Sequence, residues 1–267
     1  MNTRFKHLIK KILPKKIISK ISEVYLYYSF RGNYRNFHEV EKIANSYDNE
    51  KLLTRIKDAY YNSLKYNSAN DRDGEVVFAR DSNFKVLRYL NQFSKNEKSI
   101  VIDFGGSILN FQRQYKKFIN NNIKWFVVDN KKICKLGKEL KIKANFFDDL
   151  EKALVSIKKS ELKYTTILFG SVLQYIPNFV EIIKLCNKYN IDKIIIHRQP
   201  MLKNNDKIIS VQHIPFWVSS GKYAVCLYGE RKIINFFLKY DYKLIESFKS
   251  LGLPFKKGSY KSLIFTK

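Results

Sequence analysis

The chain has 267 residues, enough for one large α/β domain with an extension and a sizeable core. Fifty Lys and Arg against 24 Asp and Glu give a formal charge of +26, which points either to an anionic partner or to a lysine-rich composition spread over every exposed face. A hydrophobic content of 45%, with 15% aromatic residues, excludes wholesale disorder, and no apolar run reaches the ~18–20 residues that span a bilayer. Cys134, Cys186 and Cys226 are far apart, odd in number and without metal-ligand spacing, so they read as core thiols of a reducing compartment.

In chain order, residues 1–28 come first as a basic amphipathic helix. Phe5, Leu8, Ile9, Ile12, Leu13, Ile17, Ile18 and Ile21 recur at helical spacing, with Arg4 and six lysines between them and no acidic residue before Glu23. Pro14 kinks or divides this helix. Such a segment, over residues 1–22, suits an anionic membrane surface, each basic residue contributing roughly 1 kcal/mol near the headgroups. Docking on its own domain is the alternative. Lysines interrupt every apolar stretch, so it is no secretory signal.

Residues 29–97 read as a helical N-terminal region, with helices over 36–45, 49–65 and 82–93 and a polar loop at 67–74. From residue 98 to the end, strands and helices alternate. Strands are expected near 99–104, 124–129, 143–147, 164–170, 192–197, 242–248 and 260–266. Helices are expected near 109–121, 131–140, 149–157, 178–189 and 229–239. This alternation predicts a Rossmann-like, doubly wound, mostly parallel seven-stranded sheet with an N-terminal helical extension.

The first of these strands runs through Ile100-Val101-Ile102 into Asp103-Phe104-Gly105-Gly106-Ser107, and the second ends at Asp129. Glycine at a strand end permits a tight turn and close approach of a ligand. A carboxylate at the end of the next strand can accept hydrogen bonds from a ribose diol, so the pair outlines a nucleotide-type pocket. The dinucleotide fingerprint G-x-G-x-x-G lacks its third glycine here. Asp103, two residues before the turn, would repel a phosphate. The same anion suits a ligand bearing a sulfonium and an ammonium. The spacing from Gly105 to Asp129 fits either cofactor, so Asp103 and the missing glycine are what favour S-adenosylmethionine (SAM) over a dinucleotide.

Two further strand ends deliver Ser171, Gln174 and Tyr175, then His197 and Arg198, to the same edge. In order along the chain, Phe104-Gly105-Gly106-Ser107, Val127-Val128-Asp129-Asn130, Ser171-Val172-Leu173-Gln174-Tyr175, His197-Arg198-Gln199-Pro200 and Val211-Gln212-His213-Ile214-Pro215 resemble a poorly characterised family of class I SAM-dependent methyltransferases. That family is associated with bacterial surface-polysaccharide gene clusters. Phe30-Arg31-Gly32-Asn33-Tyr34, Phe78-Ala79-Arg80-Asp81-Ser82 and the closing Tyr260–Thr266 carry the resemblance from about residue 28 to the C-terminus.

The resemblance implies a SAM-dependent methyltransferase, and since no cluster in the sequence has metal-ligand spacing no metal is expected. Asp103, Gly105, Gly106 and Ser107 would hold the methionine end and Asp129 the ribose. Asp148 would lie near the adenine, and Ser171 and Gln174 would face cofactor or acceptor. The implied acceptor is a sugar of a surface glycan or of its lipid-linked precursor, methylated on oxygen at the cytoplasmic face of the membrane. Three departures stand out: Leu109 and Asn110 where small residues or glycine are usual, Asp129 in place of glutamate, and His197-Arg198-Gln199-Pro200 in place of Asp-Arg-Thr-Pro.

A sugar hydroxyl needs a proton acceptor, and His197 and His213 are the histidines of this half of the chain, with His7 and His38 upstream. A lone histidine is also commonly structural. Arg198 suits an anionic acceptor group or a buried acid such as Asp103. The segment from Met201 to Tyr228, with His213, Phe216, Trp217, Tyr223 and Tyr228, is expected to cover the acceptor side or to act as a core flap. An RNA or protein methyltransferase and a non-catalytic SAM-fold binding protein remain as alternatives. Nucleic acid is disfavoured by the lack of any recognisable RNA-binding module.

Overall fold

The computed structural model describes residues 15–44, 50–65, 70–72, 74–77, 84–96, 98–214 and 221–267. The first half of the expected basic helix, with Pro14 and His7, lies outside these residues, as do Phe78–Ser82 and the pair Phe216 and Trp217. Among the described residues no helix is long and apolar enough to cross a membrane.

The sheet is organised around β4 (Ile100–Phe104), whose Ile-Val-Ile run is buried on both faces. β4 pairs in parallel with β5 (Lys124–Val128) on one side and β7 (Thr165–Gly170) on the other. β6 (Asn145–Phe147) extends the sheet beyond β5, and β8 (Lys193–Leu202) extends it beyond β7. β12 (Gly258–Thr266) runs antiparallel to β8, and β11 (Lys243–Lys249) pairs with β12. The seven expected strands are therefore present in the spatial order β6-β5-β4-β7-β8-β12-β11. The chain winds outward from β4 and then restarts at β7. This reversal opens a crevice at the carboxyl ends of β4 and β7.

The expectation of a seven-stranded, mostly parallel sheet is corrected, because among the described residues the sheet has ten strands and is mixed. The three additional strands are β1 (Phe30–Tyr34), β9 (Lys207–His213) and β10 (Lys222–Gly229). β9 and β10 form an antiparallel hairpin, and β1 pairs with the outer edge of β9. One edge of β8 carries β7 over Lys193–His197 and then β10 over Met201–Leu202. β10 thus takes up the ladder where β7 has ended, and the added strands stand past the carboxyl edge of β7. The physical cause is that β8 runs on for five residues beyond His197, leaving backbone groups that need partners. The segment expected as a covering insertion supplies them, with Ile208, Ile209, Val211, Val225 and Leu227 buried. A short separate hairpin, β2 (Asn70–Arg72) with β3 (Glu75–Val77), stands where a polar loop was expected.

Helices cover both faces. In chain order they are α1 (Lys15–Tyr27), α2 (Phe37–Glu41), α3 (Glu50–Leu64), α4 (Phe84–Phe93), α5 (Asn110–Tyr115), α6 (Lys131–Glu139), α7 (Leu150–Ser156), α8 (Lys159–Leu162), α9 (Val180–Lys188) and α10 (Glu230–Leu238). One core joins Ile102, Phe126, Ile167, Phe169 and Ile196 to α7, α9 and α10. The other joins Val101, Val127, Leu168, Ile195 and Ile264 to α4 and α5. Strand residues alternate between the two cores, as the two-residue period requires. Two helices that flank the crevice are capped by side chains from strand ends. Asn130 accepts the amide of Ile133 at α6, and Asp149 accepts that of Lys152 at α7.

Candidate functional site

The turn after β4 folds back over its own strand. Gly105 has a φ of +71°, and a Cβ there would lie 2.4 Å from Val172 Cγ2. At Gly106 a Cβ would lie 2.5 Å from the carboxyl carbon of Asp103. Protein atoms therefore crowd both glycines, where the sequence alone suggested the approach of a ligand. Non-glycine residues in the left-handed region cluster at the same edge: Ser107, Leu109, Ser171 and Arg198, at φ values of +52 to +65°. Backbone strain of this kind costs of order 1–3 kcal/mol per residue and gathers at functional sites.

Asp129 ties the turn to the end of β5. Its Oδ2 accepts the amide of Ser107 at 2.9 Å, and its Oδ1 accepts the amide of Asn130 at 2.7 Å and the Asn130 side-chain amide at 3.1 Å. Burial raises its carboxyl to about 6, against the pull of the Asn130 and Ser107 amides, which lower it. Asp103 lies beneath the turn, fully buried, and its Oδ2 has no hydrogen-bond partner. Burial, reinforced by the nearby Asp129 charge, pushes it up to about 8. Past β6, Asp148 pairs with Lys152 at 2.8 Å, and this hydrogen bond holds its carboxyl below the ordinary range.

At the end of β7, the Ser171 amide donates to the His197 carbonyl at 2.9 Å, and its hydroxyl donates to the Arg198 carbonyl at 2.8 Å. Gln174 donates to the Ser171 carbonyl at 2.7 Å, while its Oε1 is buried without a partner. The Tyr175 hydroxyl donates to Gln212 Oε1 of β9 at 2.7 Å, and the Tyr175 ring meets that of Tyr223 edge-on at 6.1 Å. A cavity of about 790 Å³ occupies this edge. Phe104, Gly105, Val128, Asp129 and Asn130 line it, continued by Asp148, Asp149, Leu150 and Gly170–Val172. The opposite wall comes from Phe37, Glu41 and Ala44 at α2, from Tyr175 and Ile176, and from Tyr223 and Ala224 of β10. Its charged lining among the described residues is Glu41, Asp129, Asp148 and Asp149, with no Lys, Arg or His.

Of the residues singled out in the sequence, Gly105, Asp129, Asp148 and Ser171 line the cavity. Asp103, Gly106, Ser107 and Gln174 form the layer directly behind it, through the contacts given above. His197, Arg198 and His213 are not brought to it. His197 is buried, with Nδ1 3.2 Å from Ser262 Oγ and its ring against Phe111. Arg198 lies over the Tyr260 ring at 5.6 Å, its Nε buried and unpartnered. His213 ends β9, its amide bonded to the Ser29 carbonyl, and its imidazole is lowered by burial and then by Arg31 and Lys222. Phe37, Glu41 and Ala44 escaped the sequence reading, because only the β1–β9 pairing carries α2 to this edge. Asp149 is the N-cap of α7, a role that gives no separate signal of a site in the sequence.

No family model matches the chain, and no curated protein matches it. Solved structures similar to it include the N-terminal domain of EvdMO1 with S-adenosylhomocysteine bound, at 7% identity over 84% of this chain and 99% of that one, with a TM-score of 0.46. The glycopeptide N-methyltransferase MtfA in complex with SAM is similar at 7% identity over 71% of this chain and 95% of that one, with a TM-score of 0.46. A SAM-dependent methyltransferase from Methanosarcina mazei is similar at 11% identity over 70% of this chain and 97% of that one, with a TM-score of 0.49.

Gly170 provides a direct probe of this cavity, since a Cβ there meets nothing within 4 Å. Gly170→Ala should leave thermal stability within about 0.5 kcal/mol of wild type while weakening any ligand that fills this part of the cavity. Gly105→Ala should instead lower the melting temperature, because a methyl there meets Val172 and the backbone lies at positive φ. Equal melting temperatures for the two variants would contradict this geometry.

Proposed function

We propose that the chain is a SAM-dependent methyltransferase and that the 790 Å³ cavity holds its cofactor and acceptor. The observation that carries this reading is electrostatic. In a chain of net charge +26, the cavity at the switch point is lined, among the described residues, by four carboxylates and no cation. Of the four, Asp148 is neutralised by Lys152, and the remaining negative charge disfavours a phosphate-bearing dinucleotide and attracts a sulfonium and an ammonium. The unpartnered Oδ2 of Asp103 and Oε1 of Gln174 fit the same conclusion, being buried acceptors behind the cavity.

When bound, SAM supplies an electrophilic methyl carbon for in-line attack by the acceptor. The residues of the chain hold and orient. Asp129 has lone pairs left after serving Ser107 and Asn130, enough to accept ribose hydroxyls. Asp148, Asp149 and Leu150 border the far end, where a base would rest. Gly170 and Ser171 leave room beside the glycine turn for the methionine end. On the facing wall, Phe37, Tyr175 and Tyr223 provide aromatic surfaces that suit a sugar ring. A described lining without cations favours an uncharged reacting unit. These features support O-methylation of a neutral sugar, in a surface glycan or its lipid-linked precursor, over a polyphosphate acceptor such as RNA.

SAM affinity should rise with pH across the interval from about 6 to about 8. Burial has raised both Asp129 and Asp103; a cationic ligand favours their ionised forms, so binding releases protons and is penalised at lower pH. Calorimetry should show this trend, with Asp103→Asn flattening it and Asp129→Ala weakening binding at every pH. Binding of NAD but of neither SAM nor its demethylated product would overturn the cofactor assignment.

Acceptor class can be read by incubating the protein with methyl-labelled SAM and lipid-linked glycans, nucleotide sugars or RNA in parallel. Label is expected in the glycan. Label confined to RNA or to protein would remove the glycan assignment and keep the methyltransferase.

We also propose that the N-terminal segment contacts an anionic membrane. On α1, Ile21 and Val24 are exposed, and Tyr28, one turn on, is exposed as well, which supports an apolar stripe facing outward. Ile21→Ser with Val24→Ser should reduce sedimentation with phosphatidylglycerol vesicles, and salt should weaken the wild-type interaction. Unchanged sedimentation would assign vesicle binding to the diffuse basic surface instead.

A further inference from the structure

A second cavity, of about 550 Å³, lies where the ends of β8 and β10 meet β12 and the start of α10. Met201 and Leu202 form its apolar part, and Lys203, Arg231, Lys261 and Glu230 its charged part. Asn204, Asn205 and Ser259 add neutral hydrogen-bonding groups.

The carboxylate of Glu230 is already committed. It accepts from Lys261 Nζ through one oxygen and from the Ser247 hydroxyl through the other. Lys203 and Arg231 have no ion pair among the described residues. The nearby Asp206 carboxylate accepts from the Asn204 side chain and takes no part in the lining. Three cations therefore face a single carboxylate that is satisfied, the reverse of the first cavity.

The backbone adds to this charge. α10 is a nine-residue helix that starts after Gly229, with no side chain capping its first amides. Its N-terminal end carries about half a positive charge. Gly229 is needed here for packing, since a Cβ would lie 2.1 Å from the Asn204 carbonyl oxygen. The loop Lys203–Asp206 is thereby pressed onto the start of the helix, and the Gly229 amide donates to the Asp206 carbonyl at 2.9 Å. Lys203, at the start of that loop, and Arg231, in the first turn of the helix, both line the cavity.

We propose that this cavity is a phosphoryl-binding site, taking the phosphate or diphosphate group of a ligand on Arg231 and Lys203. The guanidinium of Arg231 can bind two phosphate oxygens at once, and Lys203 adds a point charge. Lys261 is shared with Glu230 and contributes through its field. The assignment is independent of methyl transfer, so failure of either reading leaves the other standing.

The test is a titration with inorganic pyrophosphate at physiological ionic strength, followed by 31P NMR and calorimetry on the full chain. Saturable binding at one site is expected. Lys203→Ala with Arg231→Ala should weaken it at least tenfold, with the melting temperature tracked to confirm folding. Lys135→Ala, on the exposed face of α6, should leave it unchanged. No saturable binding, or equal losses in Lys135→Ala and the double variant, would overturn the proposal and leave only a generally basic surface. Competition with phosphatidylglycerol vesicles separates the sources of the phosphoryl group. Displacement of the protein from vesicles by pyrophosphate, lost in the double variant, assigns the site to a lipid headgroup. Vesicle binding indifferent to pyrophosphate assigns it to a soluble phosphorylated ligand.

Discussion

Two carboxyl groups lie close together where β4 and β5 end, Asp103 buried and Asp129 half-buried at the cavity, and the architecture of the candidate site follows from how each is accommodated. Asp129 is held by the amides of Ser107 and Asn130, so it fastens the glycine turn to the neighbouring strand, while Asn130, whose side chain also donates to it, caps α6. Asp103 has no such help at Oδ2 and carries the larger shift in proton affinity. A buried charge without a partner is costly, which is why burial raises the Asp103 carboxyl to about 8. The turn must pass directly over Asp103, which requires glycine at position 106, and it must pass Val172, which requires glycine at 105. The glycine pair is thus a packing solution as much as an opening for a ligand.

The second constraint is the length of β8. Parallel strands in a doubly wound sheet commonly end at the ligand edge, but β8 continues to Leu202 with β12 on one side. Its other edge is free once β7 stops at Gly170, and exposed strand edges invite pairing. The hairpin β9–β10, with β1 added outside it, fills that edge and rises past the crevice. Tyr223 reaches the cavity by this route, and α2, which follows β1, brings Phe37 and Glu41. Part of the cavity lining is therefore built from the N-terminal region and from an internal insertion, two pieces more than a hundred residues apart in the chain.

The two cavities differ in sign, although the chain as a whole is strongly basic. Surface lysines alone would give every depression a positive lining. Among the described residues, the first cavity is lined by no Lys or Arg and the second by three cations, a local arrangement that composition does not dictate. Neither property is visible in the net charge of +26, which sums over faces that never meet.

Local signals in the sequence were sufficient for the inner sheet. The apolar runs at 100–102, 125–128, 165–169 and 194–196 have no reading other than buried strands, and Asn130 and Asp149 mark helix starts through capping. The Gly105-Gly106 turn and Asp129 were legible as one site because they follow consecutive strands. What stayed hidden depends on contacts distant in sequence. His197 and Arg198 follow a strand just as Ser171 does, yet continuation of β8 carries them into the sheet beneath Phe111 and Tyr260 rather than into the cavity. Whether a side chain after a strand faces a ligand or a neighbouring helix is set by where that strand stops. A strand stops where its partners do, so only the tertiary structure decides it.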